Sequence, residues 1–366
     1  MTHWRMGDTA QDYKVANSQA ADWARGKFEK QIEAGRESAV QTINTIVNTV
    51  PQDALVAGRA LTFQPSETDV QVLFGDGAEP KPIHDNAFRQ MCSKAGLPLK
   101  FGDALRTGEE WERELLAHNL TEIHNRQDRR HFMRSVKGEV RACLSDRYAP
   151  YNSPEIVDAI VGEFQKLGVV PLSCRATDTR WSLKGVLPMV FEPFADEIMT
   201  YGLDIQNSDY GNGAFHVRLF GNRVMCTNLM TTEDGLRKVH LGGRLSDDFT
   251  FSQETYQLNS AALISATKDT VAGLLGPGKI DEMNQVIVEA HESSLSWAAA
   301  KRKLGKLTKT ETEKVQEAFE GNDVMNLPPN ETRWRLSNAI SWLGVNTENQ
   351  DRALDLQRIA GEVIGK

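Results

Sequence analysis

The stretch GLDIQNSDYGNGAFHVRLFGNRVMCTN, residues 202–228, lies in the middle of the chain and predicts its fold. Leu203 and Ile205 alternate with other residues, as in a strand, and NSDYGNG supplies turn residues before a second alternating run at 215–220. Gly221-Asn222 is typical of a two-residue hairpin turn and predicts a third strand, RVMCTN. The stretch therefore predicts an antiparallel β-meander.

Outside this meander, helical and strand patterns alternate. Residues 9–50 predict a helical arm, with Val40, Ile43, Ile46, Val47 and Val50 on one face. Strands are expected at 54–63, 70–74 and 137–148, helices at 84–98 and 108–126, and a hairpin around Thr177-Asp178. Ser153-Pro154-Glu155 predicts a helix start, Gly168 its end, and residues beyond Phe251 predict helices. The expected class is α+β, with an N-terminal helical arm (1–50), a mixed core containing the meander (51–250) and a helical C-terminal third (251–366).

Composition is that of an ordinary globular protein. The chain has 366 residues, of which 40% are hydrophobic and 25% charged. We expect no membrane span and no export signal, hence a cytoplasmic protein, because long apolar runs are missing and the start MTHWRMGDTAQDY has no apolar core. Cys92, Cys143, Cys174 and Cys226 form no CxxC pair, which predicts reduced, mostly buried thiols.

Catalytic motifs give little support for an enzyme. Neither a phosphate-binding GxxxxGK[ST] nor a GxSxG occurs, and His118, His124 and His131 do not have the i,i+4 spacing of helical metal ligands. We expect no cofactor and no metal. An acidic cluster, made of Glu192, Asp196, Glu197, Asp204 and Asp209, leaves open a metal-dependent nucleic-acid-processing enzyme. Cys226 leaves open a catalytic thiol.

Basic residues are better organised than acidic ones. The net charge is −8, yet residues 121–184 hold eleven Lys or Arg against eight acids, and KRKLGKLTK at 301–309 holds five bases and no acid. Several bases lie next to aromatic residues, and single-stranded nucleic acid needs both cations and flat rings. The predicted nucleic-acid-binding residues are Arg141, Arg147, Tyr148, Arg175, Arg180, Trp181, Lys184, Asn207, Ser208, Tyr210, Asn212, Arg218 and Arg223.

The turn NSDYGNG has two interpretations. As a recognition turn, it would present amides, a hydroxyl and the Tyr210 ring to a nucleic-acid strand. As a structural turn, Asn207 and Asn212 would hold the backbone by local side-chain bonds and Tyr210 would fold onto the sheet.

Four segments, HDNAFRQMCSKAGLP, ACLSDRYAPYNSPEIVDAI, the opening stretch and TRWRLSNAISWLG, occur in this order. Together they resemble a family of phage/plasmid-like proteins of unknown function (domain of unknown function 932), over roughly residues 50–350. The resemblance implies DNA handling in a bacterial cell, and the element order is similar to that of phage strand-annealing proteins.

The expected function is therefore that of a non-catalytic, homo-oligomeric protein that binds single-stranded DNA and anneals strands during recombination. The alternatives are the enzyme described above and an inhibitor that binds a host-defence protein through an acidic surface.

Overall fold

The computed structural model describes residues 13–74, 78–224, 228–240, 252–321, 324 and 326–365. Its helices are α1 (Gln19–Val47), α2 (Asp85–Ala95), α3 (Leu99–Arg106), α4 (Glu110–Asn125), α5 (Ser153–Leu167), α6 (Gln253–Leu274), α7 (Pro277–Glu292), α8 (Trp297–Lys301), α9 (Lys309–Glu320), α10 (Arg333–Val345) and α11 (Gln350–Ile364). Its strands are β1 (Gln52–Ala57), β2 (Leu61–Pro65), β3 (Val70–Phe74), β4 (Lys81–Pro82), β5 (Arg130–Val136), β6 (Glu139–Ser145), β7 (Val170–Ala176), β8 (Trp181–Val186), β9 (Met199–Asn207), β10 (Phe215–Arg223) and β11 (Asn228–Lys238). The predicted α+β class is confirmed. None of the described helices is both long enough and apolar enough to cross a membrane.

A five-stranded antiparallel sheet, in the order β11-β10-β9-β8-β7, contains the predicted meander and the predicted hairpin. The turn after Asn207 joins β9 to β10 as expected. The hairpin turn predicted at Gly221-Asn222 is wrong, because β10 runs on to Arg223. Asn222 stays in the strand, where its side-chain amide donates to Thr200 Oγ1 on β9 at 3.3 Å. The third strand of the meander consequently begins at residue 228.

One face of this sheet packs against α5 and the C-terminal helices. Helix α5 begins at Ser153, one residue before the predicted first position Pro154, ends at Gly168 with φ 69°, and buries Ile160 and Phe164. These side chains share one core with Leu203 and Val217 of the sheet and with residues of α1, α6, α7 and α9 to α11. All three predicted segments of the chain therefore contribute to a single core.

Helix α1 packs first on the opposite face of the sheet and then beside α5. Phe28 belongs to the core on that opposite face, whereas Ile43 belongs to the α5 side. Gly35 makes the passage possible, since a Cβ there would lie 2.0 Å from the carbonyl oxygen of Leu172 in β7. The predicted buried face was partly wrong: Val40 and Val50 are 41% and 64% exposed, because the buried stripe follows Ala39, Ile43 and Ile46.

A close passage also occurs in α11, where a Cβ on Gly361 would lie 2.0 Å from the carbonyl oxygen of Thr231 in β11. Helix α11 therefore lies directly against the backbone of that strand.

A second core lies between two three-stranded sheets, β1-β5-β6 and β2-β3-β4, and the helices α2 and α4. The single strand predicted at 54–63 is divided between these sheets by the turn Gly58–Ala60. Gly58 is required there, because a Cβ would lie 2.6 Å from the carbonyl oxygen of His124.

Candidate nucleic-acid interface

The side chains of the NSDYGNG turn point into the protein. Asn207 is 2% exposed, and its Nδ2 donates to the carbonyl oxygen of Tyr151 at 2.9 Å and to Ser153 Oγ at 3.0 Å. Its Oδ1 lies 2.9 Å from Nε2 of His240, whose pKa is lowered to about 4, chiefly by burial. Asn207 therefore joins the end of β9 to the start of α5 and to the segment after β11.

Ser208 and Tyr210 are also buried. Ser208 Oγ donates to the carbonyl oxygen of Thr179 at 2.7 Å and accepts the backbone N–H of Asn212 at 2.9 Å. The Tyr210 ring packs in a small core with Leu144 and Tyr148. Burial raises the pKa of Tyr210 to about 12, so its hydroxyl stays protonated. Of the four turn residues predicted to bind nucleic acid, Asn212 alone presents its side chain to solvent.

A buried arginine, Arg134 of β5, holds this turn from below. Its Nε and Nη2 donate to the two carboxylate oxygens of Asp53 at 2.7 and 3.1 Å, and Nη1 donates to the carbonyl oxygen of Asp209 at 3.0 Å. Asp209 in turn accepts the backbone N–H of Ser153, at the start of α5. Burial raises the pKa of Asp209, and Arg134 opposes that shift. Sequence reasoning missed Arg134, although an arginine inside the alternating pattern of a strand is the signal that could have found it.

Several other predicted site residues are inside the protein as well. Trp181 is 5% exposed and donates through Nε1 to Ser153 Oγ at 2.6 Å. The Tyr148 ring stacks on His240 with centroids 5.1 Å apart. Arg223 is 7% exposed and forms a bidentate ion pair with Glu197. In this conformation these three side chains hold elements together.

The acidic residues of the predicted cluster do not converge. Glu197 pairs with Arg223, and Asp209 binds the start of α5, whereas Asp204 points to the other face of the sheet. Within the described ranges, no group of three or more His, Cys, Asp or Glu residues is arranged to hold a metal ion. Cys226, the candidate nucleophile, lies outside the described residues.

The remaining basic residues meet on the second face of the five-stranded sheet. Strand register places residues in two rows that cross all five strands. From β7 to β11, the outer row is Arg175, Ser182, Gln206, His216 and Arg237, and the next row is Ser173, Lys184, Asp204, Arg218 and Gly235. Side chains directly opposite on paired strands have Cβ atoms about 5 Å apart. We call the charged and polar residues of these two rows the basic face.

Asp204 is the single carboxylate in these rows, and its neighbours engage both of its oxygens. It accepts from Ser182 Oγ at 2.8 Å and from Gln206 Nε2 at 2.7 Å, and Lys184 Nζ lies 3.2 Å away. Lys184 and Asp204 are 4% and 2% exposed, so they form a buried ion pair beneath the surface. Because the charges of Lys184 and Asp204 cancel, the net positive charge of the basic face comes from its arginines.

His216 and Arg218 lie on β10 in the middle of the face. Nη2 of Arg218 lies 3.0 Å from His216 Nδ1. Because a guanidinium can only donate, Nδ1 accepts and the ring proton is on Nε2. Burial, together with the charges of Arg218 and Arg237, lowers the pKa of His216 to about 4. At neutral pH His216 is therefore an uncharged hydrogen-bond donor among cations.

Two arginines at the ends of the outer row are exposed. Arg175 and Arg237 form no ion pair with the described residues, whereas Arg180, beside the row, lies 3.2 Å from Asp351. Of the other predicted cations, Arg141 pairs with Glu139 on its own strand and Arg147 is exposed after β6. Those two are not part of the basic face.

Helix α11 extends the positive charge beyond the sheet. The charge of Arg358 reaches His216, and its guanidinium pairs with Glu362. Glu362 also pairs with Lys306, at 2.6 Å. The basic run 301–309, which we call the basic loop, is therefore connected through Glu362 to Arg358, whose charge reaches the basic face.

Comparison with protein-family models, with curated proteins and with solved structures found no match.

Proposed function

We propose that this protein binds single-stranded DNA along the basic face and anneals complementary strands as a homo-oligomer. The observation that carries the proposal is the pair of rows in which Arg175, Arg218 and Arg237 share one face with a single, internally paired carboxylate. Phosphate groups are recognised by such arginines and by uncharged donors beside them. The second amide proton of Gln206 and the Nε2–H of His216 are those donors.

The size of the face suits a short piece of one strand. Five strands about 4.8 Å apart give rows about 19 Å long. At the 3.4 Å spacing of a stacked strand, that length matches roughly five nucleotides. Proteins that bind single strands without sequence preference have sites of about this size.

The burial of the aromatic rings supports annealing in particular. Trp181 and Tyr210, which were expected to stack on bases, are 5% and 7% exposed. A strand on the basic face would then be bound through its phosphates, with its bases facing solvent. Bases held in this way remain accessible to a complementary strand, and pairing follows from base complementarity without a nucleotide cofactor.

The test is a charge reversal with a matched control. The double variant Arg175→Glu/Arg237→Glu removes two exposed cations of the basic face, and Arg89→Glu changes one exposed arginine of α2. Affinity for a fluorescent single strand should fall at least tenfold in the double variant and stay unchanged in the control. The slope of log affinity against log salt should drop by about 1.4, since each lost contact with a single strand contributes about 0.7.

Annealing is measured on the same proteins with two complementary oligonucleotides. The wild type should accelerate duplex formation, and the double variant should lose the acceleration together with binding. Unchanged affinity in the double variant would show that the basic face is not the site. Binding without faster annealing would leave DNA binding intact and remove the annealing function.

A further inference from the structure

A cleft of about 790 Å³ opens on another part of the molecule, between β1, β5, the loop after β6, the start of α5 and α6. Three carboxylates line it, from Asp53, Asp146 and Glu155, together with the rings of Phe132 and Tyr256. We call it the acidic cleft. Its volume is that of a site for a ligand of several side chains.

Two of its carboxylates keep the capacity to bind a cation. Both oxygens of Asp53 are used by Arg134, whereas Asp146 forms an ion pair with Arg130 at 3.6 Å, which is too long for a hydrogen bond. Glu155 is exposed and forms no ion pair with any described residue. Aromatic rings attract cations to their faces, so the walls of the cleft add to the attraction.

The basic loop has the complementary property. Leu304 is 3% exposed and fastens the loop to the core, while Lys301 and Arg302 are exposed on the preceding turn. Neither of these two cations forms an ion pair with a described residue. Further along the loop, Lys306 pairs with Glu362, and the carbonyl oxygen of Lys306 accepts from Arg352. One end of the loop is thus held by its own chain, and the other is available.

We propose that the basic loop of one copy of this protein docks in the acidic cleft of the next copy. Lys301 and Arg302 insert between Asp146 and Glu155, against Phe132 and Tyr256. The two surfaces are different parts of the chain, so the contact is head-to-tail and repeats from copy to copy. Because the loop is connected to the basic face through Glu362 and Arg358, each contact brings a new basic face into series with the last. This assembly goes beyond DNA binding and forms without DNA.

The test is a reciprocal charge swap followed by sedimentation velocity on the full chain without DNA. The loop variant is Lys301→Glu/Arg302→Glu, and the cleft variant is Asp146→Asn/Glu155→Lys. In the loop variant both the loop and the cleft are negative, and in the cleft variant both are positive. Each variant alone should therefore stay monomeric, because its loop and cleft repel each other. An equimolar mixture should assemble, because the cleft of each variant then meets a loop of opposite charge. Lys100→Glu and Glu67→Lys, on exposed residues elsewhere, are the matched controls.

Wild-type protein and both controls should show a mass that rises with concentration and returns to that of a monomer in about 1 M salt, where the Debye length is ~3 Å. A wild type that is monomeric at low salt overturns the proposal, and so does a mixture that gains no mass. Glu155→Lys alone serves if the cleft variant fails to fold. Binding of single-stranded DNA by monomers would survive either result, so the failure of this assembly and the failure of DNA binding are distinguishable.

Discussion

Two polar regions of the five-stranded sheet contain similar residue types, but one is buried and the other reaches solvent. The turn after β9 is rich in Asn, Ser, Asp and Tyr, and its first four residues are buried among three elements. The rows across the second face contain Ser, Gln, His and Arg, and they reach solvent at Arg175 and Arg237. In the turn the buried side chains of Asn207, Ser208 and Asp209 already have partners inside the protein, whereas the rows hold an excess of positive charge. The difference shows that polar residue types become informative only when their partners are known.

Arg134 and Arg237 provide the strongest test of this comparison. Arg134→Ala should lower the free energy of unfolding by about 4 kcal/mol, because it removes the four hydrogen bonds of a buried guanidinium and leaves the carbonyl oxygen of Asp209 buried without its donor. Arg237→Ala, on the exposed face, should change it by less than about 0.5 kcal/mol. Urea denaturation measures both. Equal effects would mean that the turn network is not the more stabilising of the two regions.

Variants of Lys184 test whether the buried ion pair of the basic face contributes to stability alone or also to DNA binding. Lys184→Met should cost about 3 kcal/mol, because Asp204 would stay buried without its cation. The double variant Lys184→Met/Asp204→Leu should recover most of that loss, since both charges are gone. DNA affinity per folded molecule should be nearly unchanged in the double variant, given that the pair lies beneath the surface. A tenfold loss of affinity there would place Lys184 in contact with DNA.

Tyr210 decides between the two interpretations of the turn. Tyr210→Ala should destabilise the protein by about 2–3 kcal/mol, because the ring is buried with Leu144 and Tyr148. The affinity for single-stranded DNA should follow only the folded fraction. Thermal melting and binding titration on the same sample give the two quantities. Lost affinity with an unchanged melting temperature would favour the recognition turn.

The smallest expected effects concern two histidines, His216 and His240, that share a lowered pKa of about 4. A folded-state pKa below the ordinary 6.5 means that the unfolded chain binds more protons, so stability is lost as pH falls from about 6.5 towards 4. His240→Gln should reduce this pH dependence of stability, because His240 lies in the turn network.

For His216 the pH dependence should appear in DNA binding. Phosphates on the basic face would raise its pKa in the complex, so affinity should increase as pH falls from 7 to 5. His216→Gln should abolish that increase, while His240→Gln should leave it in place once corrected for folded fraction. If His240→Gln abolished the increase and His216→Gln did not, the turn network and not the basic face would be the DNA-binding region.

The fold could be predicted where local signals agree with tertiary packing. The start of α5 at Ser153-Pro154 and its end at Gly168 were read from capping residues, and the alternation in β9 was read from Leu203 and Ile205. The division of residues 54–63 between two sheets could not be read in this way, because it depends on the contact of Gly58 with the backbone at His124.

The candidate site was predicted less well, because the sequence does not show how the strands are aligned with one another. Arg175, Lys184 and Arg218 were chosen as basic residues of a β region, but which of them share a face depends on strand pairing. Arg237 and His216 were missed. The turn wrongly expected at Gly221-Asn222 placed the third strand too early, and Arg237 then lay outside any predicted strand.

The glycines at which α1 and α11 meet the sheet have a consequence for aggregation. Strands β7 and β11 are the outermost strands, and an open edge invites pairing with a strand of another molecule. Gly35 brings one helix against the backbone of β7, and Gly361 brings another against the backbone of β11. Larger side chains at these positions would push the helices outward and expose the strand edges. These two glycines therefore protect the sheet from edge-to-edge pairing. Two molecules can then associate through their side chains and not through the backbone of these strands.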